Sequence, residues 1–331
     1  MENAKKRMLS GIKPTGKLTL GNYIGAIKQF ISYQDEYEMF VFIADLHALT
    51  LPIDPKELRE NTKDLISIYL ACGLDPNKVV LFKQSDVHQH AELGYIMACN
   101  SNMGELFRMT QYKDKTAKMG SNESIPTGIF IYPALMAADI VLYDPDYVPV
   151  GIDQKQHVEL TRDIAIRFNS RYSDTFKIPE PIVPKMGSKI NSLANPLKKM
   201  SKSESEKGTI YLLEDLAIIR KKIMSAVTDS DTKVYYDEVN KPGISNLLTI
   251  MSALTNRSIS ELENVFKDSN YGTFKKAVAD VVCNELEILQ NKVKAIKNSG
   301  IIDKVLEEGA TKASMVARKK LSKVYRKVGL R

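Results

Sequence analysis

Two lysines three residues apart, Lys199 and Lys202, stand in the run Lys199-Met200-Ser201-Lys202-Ser203. Cations at that spacing on a loop can close on a polyphosphate and neutralise the charge that builds on a leaving pyrophosphate. A Lys/Ser stretch is ordinarily a solvated basic loop, so the run needs a second signal. One lies near the N-terminus, where Gly11-Ile12-Lys13-Pro14-Thr15-Gly16 is followed by Thr19-Leu20-Gly21-Asn22. Small residues there let backbone approach a bound group and polar side chains arrive at a helix N-terminus, a place that suits phosphate. A tight turn with Thr19 as a helix cap accounts for the same residues.

A third feature is Asp139, set in Met136-Ala137-Ala138-Asp139-Ile140 within the least polar part of the chain, residues 128–143. Helical spacing puts Met136, Asp139 and Ile140 on one face. A carboxylate in such surroundings is costly without a partner. The partner is either a nearby Lys or Arg or a ligand N–H in a pocket, and the pocket is the favoured reading. Val148-Pro149-Val150-Gly151-Ile152-Asp153-Gln154-Lys155-Gln156-His157 reads as a strand ending in a turn, with Asp153 capping the next helix and Gln156 at its third position. That is the carboxyl edge of a sheet, where substrates bind. His47, after a buried strand, is read as a hydrogen-bonded pocket residue rather than a base, and His157 as structural.

The elements that must position these residues follow from periodicity. Met39 to Ala44 and Val79 to Phe82 are continuous apolar runs, as expected of strands covered on both faces. Between them a helix opens with Asp54 as N-cap, Pro55 at the first position and Glu57 at the third, carries Leu58, Leu65 and Tyr69 inward and stops at Gly73. Ile24, Ile27 and Ile31 share a helical face after the glycine turn. The expected fold class is α/β: a Rossmann-like parallel-sheet nucleotide-binding domain over residues 1–195, a mobile polar loop at 196–208, and an all-helical second domain at 209–331. In the second part Leu216, Ile219 and Ile223 share one helix, Ile244 to Leu254 form another, and long helices begin near Tyr271 and Ile301.

Lys199 to Ser203 match the signature of class I aminoacyl-tRNA synthetases letter for letter. Thr19-Leu20-Gly21-Asn22 resembles the altered His-Ile-Gly-His signature of that class's tryptophanyl members, and two signatures in the right order roughly 180 residues apart are far more specific than either alone. The chain is similar over nearly its whole length to the bacterial tryptophanyl-tRNA synthetases, including residues 42–50, 225–230 and 242–248. The resemblance implies ATP contacts at Lys13, Pro14, Thr15, Gly21, Asn22, Gly151, Ile152, Asp153, Ile190, Lys199, Met200, Ser201, Lys202 and Ser203, with Lys13, Thr19, Asn22, Lys199 and Lys202 serving the chemistry. It implies a tryptophan site of His47, Met136, Asp139, Ile140, Val148, Val150 and Gln154, with Asp139 accepting the indole N–H and Gln154 meeting the α-ammonium. Lys13 departs from a common Gln and Ile152 from a common Glu. Tyrosyl-tRNA synthetases are the near rivals; their archaeal and eukaryotic members carry Gln where Met136 stands, and a thioether packs well on an indole face.

The implied reaction joins L-tryptophan to ATP, held with Mg²⁺, and passes the aminoacyl group to tRNA(Trp), with a homodimer as the working form. An adenylyltransferase of the same fold would not need the basic helical part, and a noncatalytic RNA-binding derivative would be expected to have lost Lys199, Lys202 or Asn22. Composition is consistent with this. From Asn291 onward there are 12 Lys and Arg against 3 Asp and Glu, in a chain of net charge +7, so a phosphate backbone is a natural partner for that segment. The C-terminal helix is expected to pack back on the catalytic domain or to contact tRNA. Cys72, Cys99 and Cys283 are too far apart for a zinc or redox pair and are expected to be reduced and buried. No protein-bound zinc or other metal, no secretion signal and no membrane span is expected, and the location expected is the cytoplasm.

Overall fold

The structure, a computed structural model, describes residues 5–117, 124–151, 154–183, 189–201 and 206–330. Strands β1 (Arg7–Ile12), β2 (Glu38–Ile43), β3 (Val79–Lys83), β4 (Tyr147–Pro149) and β5 (Glu180–Ile182) pair in parallel in the order β3-β2-β1-β4-β5. Strand order reverses at β1, so the carboxyl ends of β1 and β4 border the switch point where open α/β sheets bind ligands.

The helices are α1 (Leu20–Asn22), α2 (Lys28–Glu36), α3 (Asp45–Ala48), α4 (Pro55–Ala71), α5 (Gln89–Cys99), α6 (Met103–Phe107), α7 (Thr110–Ala117), α8 (Thr127–Val141), α9 (Lys155–Tyr172), α10 (Leu216–Met224), α11 (Pro242–Thr255), α12 (Ile259–Phe266), α13 (Tyr271–Asn298) and α14 (Ile301–Val328). Alternation along the strands divides the core. Met8, Met39, Val41 and Ile43 face Leu65 and Ile66 of α4, whereas Leu9, Phe40 and Phe42 face Leu93 and Met97 of α5 and Ala137 and Val141 of α8. A third cluster joins α10, α11 and α13 to Leu20, Ile24, Ile27 and Met200.

The basic C-terminal helix α14 packs along β3, with Ile302 and Leu306 in one sheet layer and Ala313 and Ala317 in the other. Its backbone comes so close that a Cβ at Gly309 would lie 1.8 Å from the Leu81 carbonyl oxygen, which excludes any larger residue. Lys312, Arg318, Lys319, Arg326 and Lys327 remain exposed on its outer side.

The helix from Asp54 forms as expected: the Asp54 carboxylate accepts from Lys56 N and Glu57 N, and Gly73 takes φ +106 just beyond the end. Three local expectations are corrected. The helix after the glycine turn is not uniform, because Tyr23–Ile27 is wound as a π-helical turn between α1 and α2, a form concentrated at functional sites. Cys99 is exposed and Cys72 half-buried, leaving Cys283 as the buried thiol. Gln156 does not cap its own helix; its Oε1 accepts from Thr110 N on α7 instead, and Gln154 occupies the N-cap position of α9.

Candidate active site

Asp139 of α8 is wholly buried, and its two oxygens are held by three side chains from three other segments. His90 Nδ1 lies 2.7 Å from Oδ1, Gln84 Nε2 donates to the same oxygen at 2.8 Å, and His47 Nε2 lies 2.7 Å from Oδ2. Burial alone would push the carboxyl up, but the two histidines outweigh it and hold the pKa down at about 2. The partner expected for a structural carboxylate was Lys or Arg; here it is a pair of histidines and an amide.

Asp139 forms part of the wall of a cavity of about 330 Å³ at the carboxyl ends of β1 and β4. Leu9, Phe42, Met136, Ile140, Val148 and Val150 supply apolar walls, and His47, Gln154, Gly151 and Lys13 stand around them. The Lys115 ammonium of α7 lies 4.5 Å from the ring centroid of Tyr132, whose hydroxyl is 2.7 Å from His157 Nε2. Lys13 is exposed to solvent, yet its side chain lines a concave wall. Loss of hydration, reinforced by Lys115, brings its pKa down to about 8. Burial lowers Lys115 in the same direction and raises the Tyr132 hydroxyl to about 12. The cavity therefore combines an apolar box, one anion at its inner wall and two crowded cations.

The two signature segments meet beside it. Thr19 is fully buried; its backbone N–H and hydroxyl both donate to Asn22 Oδ1 at 3.0 Å, and its Oγ1 accepts from Asn22 N at 3.2 Å. This reciprocal box fixes the Asn22 side chain and leaves its Nδ2 without a partner among the described residues. Gly21 lies against Met200, where a Cβ would be 3.5 Å from the Met200 carbonyl oxygen, and Leu20 N donates to Ile210 O at 2.9 Å. Met200 N in turn donates to Ile190 O at 2.9 Å. Met200 is buried, packed in the cluster that also holds Leu20 and Ile190.

A family model described as tRNA synthetases class I (W and Y) matches residues 1–287. The chain belongs to this family. It is 54% identical over 329 residues to the tryptophan–tRNA ligase of Malacoplasma penetrans, covering 98% of each chain. The tryptophanyl-tRNA synthetase structure from Mycoplasma pneumoniae superimposes with TM-score 0.83 at 41% identity, covering 98% of each chain. The one from Campylobacter jejuni, complexed with ADP and tryptophane, gives TM-score 0.87 at 37% identity, covering 98% of this chain and 100% of that one.

Against this family frame, His47, Met136, Asp139, Ile140, Val148, Val150 and Gln154 line one cavity, together with Gly151 and Lys13 from the ATP set. Pro14 lines a neighbouring cleft that shares Lys13. Thr15, Gly21, Asn22, Ile190, Lys199, Met200 and Ser201 are not among the residues lining the cavity; Gly21, Ile190 and Met200 belong to the junction beside it. Ile152, Asp153, Lys202 and Ser203 lie outside the described residues.

Sequence reasoning missed Tyr132, Lys115, Gln84 and His90. Tyr132 was within reach, since it lies four residues before Met136 on the same helical face. Lys115 sits in a short polar helix with no apolar stripe, and Gln84 and His90 are remote from Asp139 in sequence, so only the fold brings them in.

Proposed function

We propose that the chain is a tryptophan–tRNA ligase. It activates L-tryptophan with ATP to tryptophanyl-adenylate and pyrophosphate, then passes the aminoacyl group to a ribose hydroxyl at the 3′ end of tRNA(Trp). The observation that carries the reading is Asp139: a buried, charged acceptor in an apolar cavity suits a wide ring with one N–H donor. In this reading Met136, Val148 and Val150 hold the indole faces, and Gln154 and Tyr132 stand near the α-ammonium. A site built to accept one N–H rejects side chains that lack it, because the carboxylate would then keep an unused lone pair away from water.

The amino-acid carboxylate attacks the α-phosphorus of ATP, forming the mixed anhydride as the bond to the β-phosphate oxygen breaks. Mg²⁺ enters on the ATP phosphates as part of the substrate. Lys13 and Lys115 stabilise charge around the reacting phosphate, and Lys199 and Lys202 take the departing pyrophosphate. Asn22, fixed by Thr19, offers Nδ2 to a phosphate oxygen. The protein acts through positioning and electrostatics and forms no covalent intermediate of its own.

The exposed basic side of α14 supports tRNA as the second substrate. A homodimer is the proposed working form, and exposed apolar side chains such as Tyr95, Met103, Phe107 and Ile166 on α5, α6 and α9 are available to it; light scattering at micromolar protein should return twice the chain mass. No helix among the described residues is long and apolar enough to cross a membrane; the cytoplasm is the location proposed for this activity. The test is amino-acid-dependent exchange of labelled pyrophosphate into ATP. Tryptophan should drive it; exchange driven by tyrosine would keep the enzyme class and overturn the substrate.

A further inference from the structure

The arm that carries Lys199 is one side of a small hairpin. Met200 N donates to Ile190 O at 2.9 Å and Ser192 N donates to Lys198 O at 2.8 Å, so Asn191 and Lys199 face each other in an antiparallel bridge. In such a pair alternate residues bond to opposite sides. The N–H and C=O of Asn191 therefore point away from the Lys199 arm and need partners elsewhere. Both are met by one side chain: Asn191 N donates to Asn246 Oδ1 at 2.8 Å, and Asn246 Nδ2 donates to Asn191 O at 2.9 Å. The carboxamide of Asn246 stands in for the missing third strand, one residue long.

Asn246 belongs to α11 and is 5% exposed, so the clamp is rigid and dry. Nearby backbone approach is equally close: a Cβ at Gly243 would lie 2.0 Å from Val227 O, and Val227 N donates to Leu193 O at 2.8 Å. The far end of the arm is tied to the same helical region. Ser201 O accepts from Thr209 Oγ1 at 3.1 Å, and Thr209 O accepts from Lys222 Nζ of α10 at 2.8 Å.

We propose that Asn246 is a positioning residue for adenylate formation: from α11 it fixes the hairpin that aims Lys199 at the ATP phosphates. This rests on the reading of Lys199 as a phosphate-binding lysine. Asn246 touches no substrate, and none of the residues lining the tryptophan cavity comes from the hairpin. Removing the clamp should therefore act on ATP and spare tryptophan.

The experiment is a double-mutant cycle in tryptophan-dependent pyrophosphate exchange, using Asn246→Ala, Lys199→Ala and the pair. Asn246→Asp is a second variant of nearly the same size; it keeps the acceptor for Asn191 N but sets a charge against Asn191 O. Tryptophan affinity is measured from the fluorescence of the ligand, which is unobscured because the chain has no Trp. Each Asn246 variant should lose on the order of 10- to 100-fold in kcat/KM for ATP with tryptophan affinity unchanged. On the Lys199→Ala background the further loss should shrink to about twofold or less. Fully multiplicative losses, an unchanged kcat/KM for ATP, or tryptophan affinity falling in parallel in both variants would each overturn the proposal. Lys199→Ala without effect on ATP kinetics would instead refute the role of Lys199 itself.

Discussion

His90 and Asp139 are joined by a 2.7 Å hydrogen bond in a region closed to solvent, with His90 Nδ1 facing Asp139 Oδ1. A carboxylate only accepts, so Nδ1 carries the proton. Its Nε2 lies 2.8 Å from the Tyr143 hydroxyl. Tyr143, His90 and Asp139 thus form a chain that ends at the cavity wall, and the orientation of the pocket's only buried anion among the described residues is set from behind.

Replacing His90 by Phe removes that donor while keeping a ring among Phe42 and Phe82. The loss should lower stability by about 1–3 kcal/mol, read as a lower urea midpoint with an unchanged slope. Acid unfolding adds a signed test. The Asp139 carboxyl is held at about 2, below its ordinary 3.8, so its contribution is complete above pH 4 and is lost as the pH falls from about 4 toward 2. Asp139→Asn should lack this component; identical acid limbs in the two proteins would contradict the assignment.

Lys13 loses its charge near pH 8. As pH rises through that value the free protein presents a neutral amine to the ATP phosphates, so ATP binding should weaken between pH 7 and 9. In Lys13→Gln the step should disappear, and adenylate formation at pH 7 should fall modestly. An unaltered pH profile in the variant would remove Lys13 from the phosphate site.

Lys115 is the second cation of that wall. Lys115→Met should cost on the order of 100-fold in kcat/KM for ATP. Lys115 also pushes the Lys13 pKa down, so the pH step in ATP binding should move to higher pH in the same variant. A rate loss with the step left in place would mean that the two lysines do not sense each other.

Much of the architecture was legible because it repeats locally. The buried runs of β2 and β3, the Asp54 cap of α4 and the starts of α13 and α14 all show in pattern and punctuation. The face of Met136, Asp139 and Ile140 was legible for the same reason, since helical spacing is a short-range property. The groups that set the charge of Asp139 were not, because Gln84, His90 and His47 reach it across 55, 49 and 92 residues. Nor was the π-helical turn at Tyr23: the Tyr23 hydroxyl bonds Glu285 Oε1 at 2.6 Å, 262 residues away, and no local preference encodes that contact. The Ser258 and Glu261 capping box of α12 is a local signal of the same kind as the Asp54 cap.

The most direct measurement compares tryptophan with its 3-benzothienyl analogue, in which sulfur replaces the indole N–H at nearly constant shape. In pyrophosphate exchange, the wild-type kcat/KM should favour tryptophan by roughly 10- to 150-fold, the worth of a hydrogen bond to a charged acceptor. Asp139→Ala should lose most of the activity with tryptophan and with it the preference between the two. Equal use of both amino acids by the wild-type protein, or a preference that survives in Asp139→Ala, would show that Asp139 does not read the indole N–H.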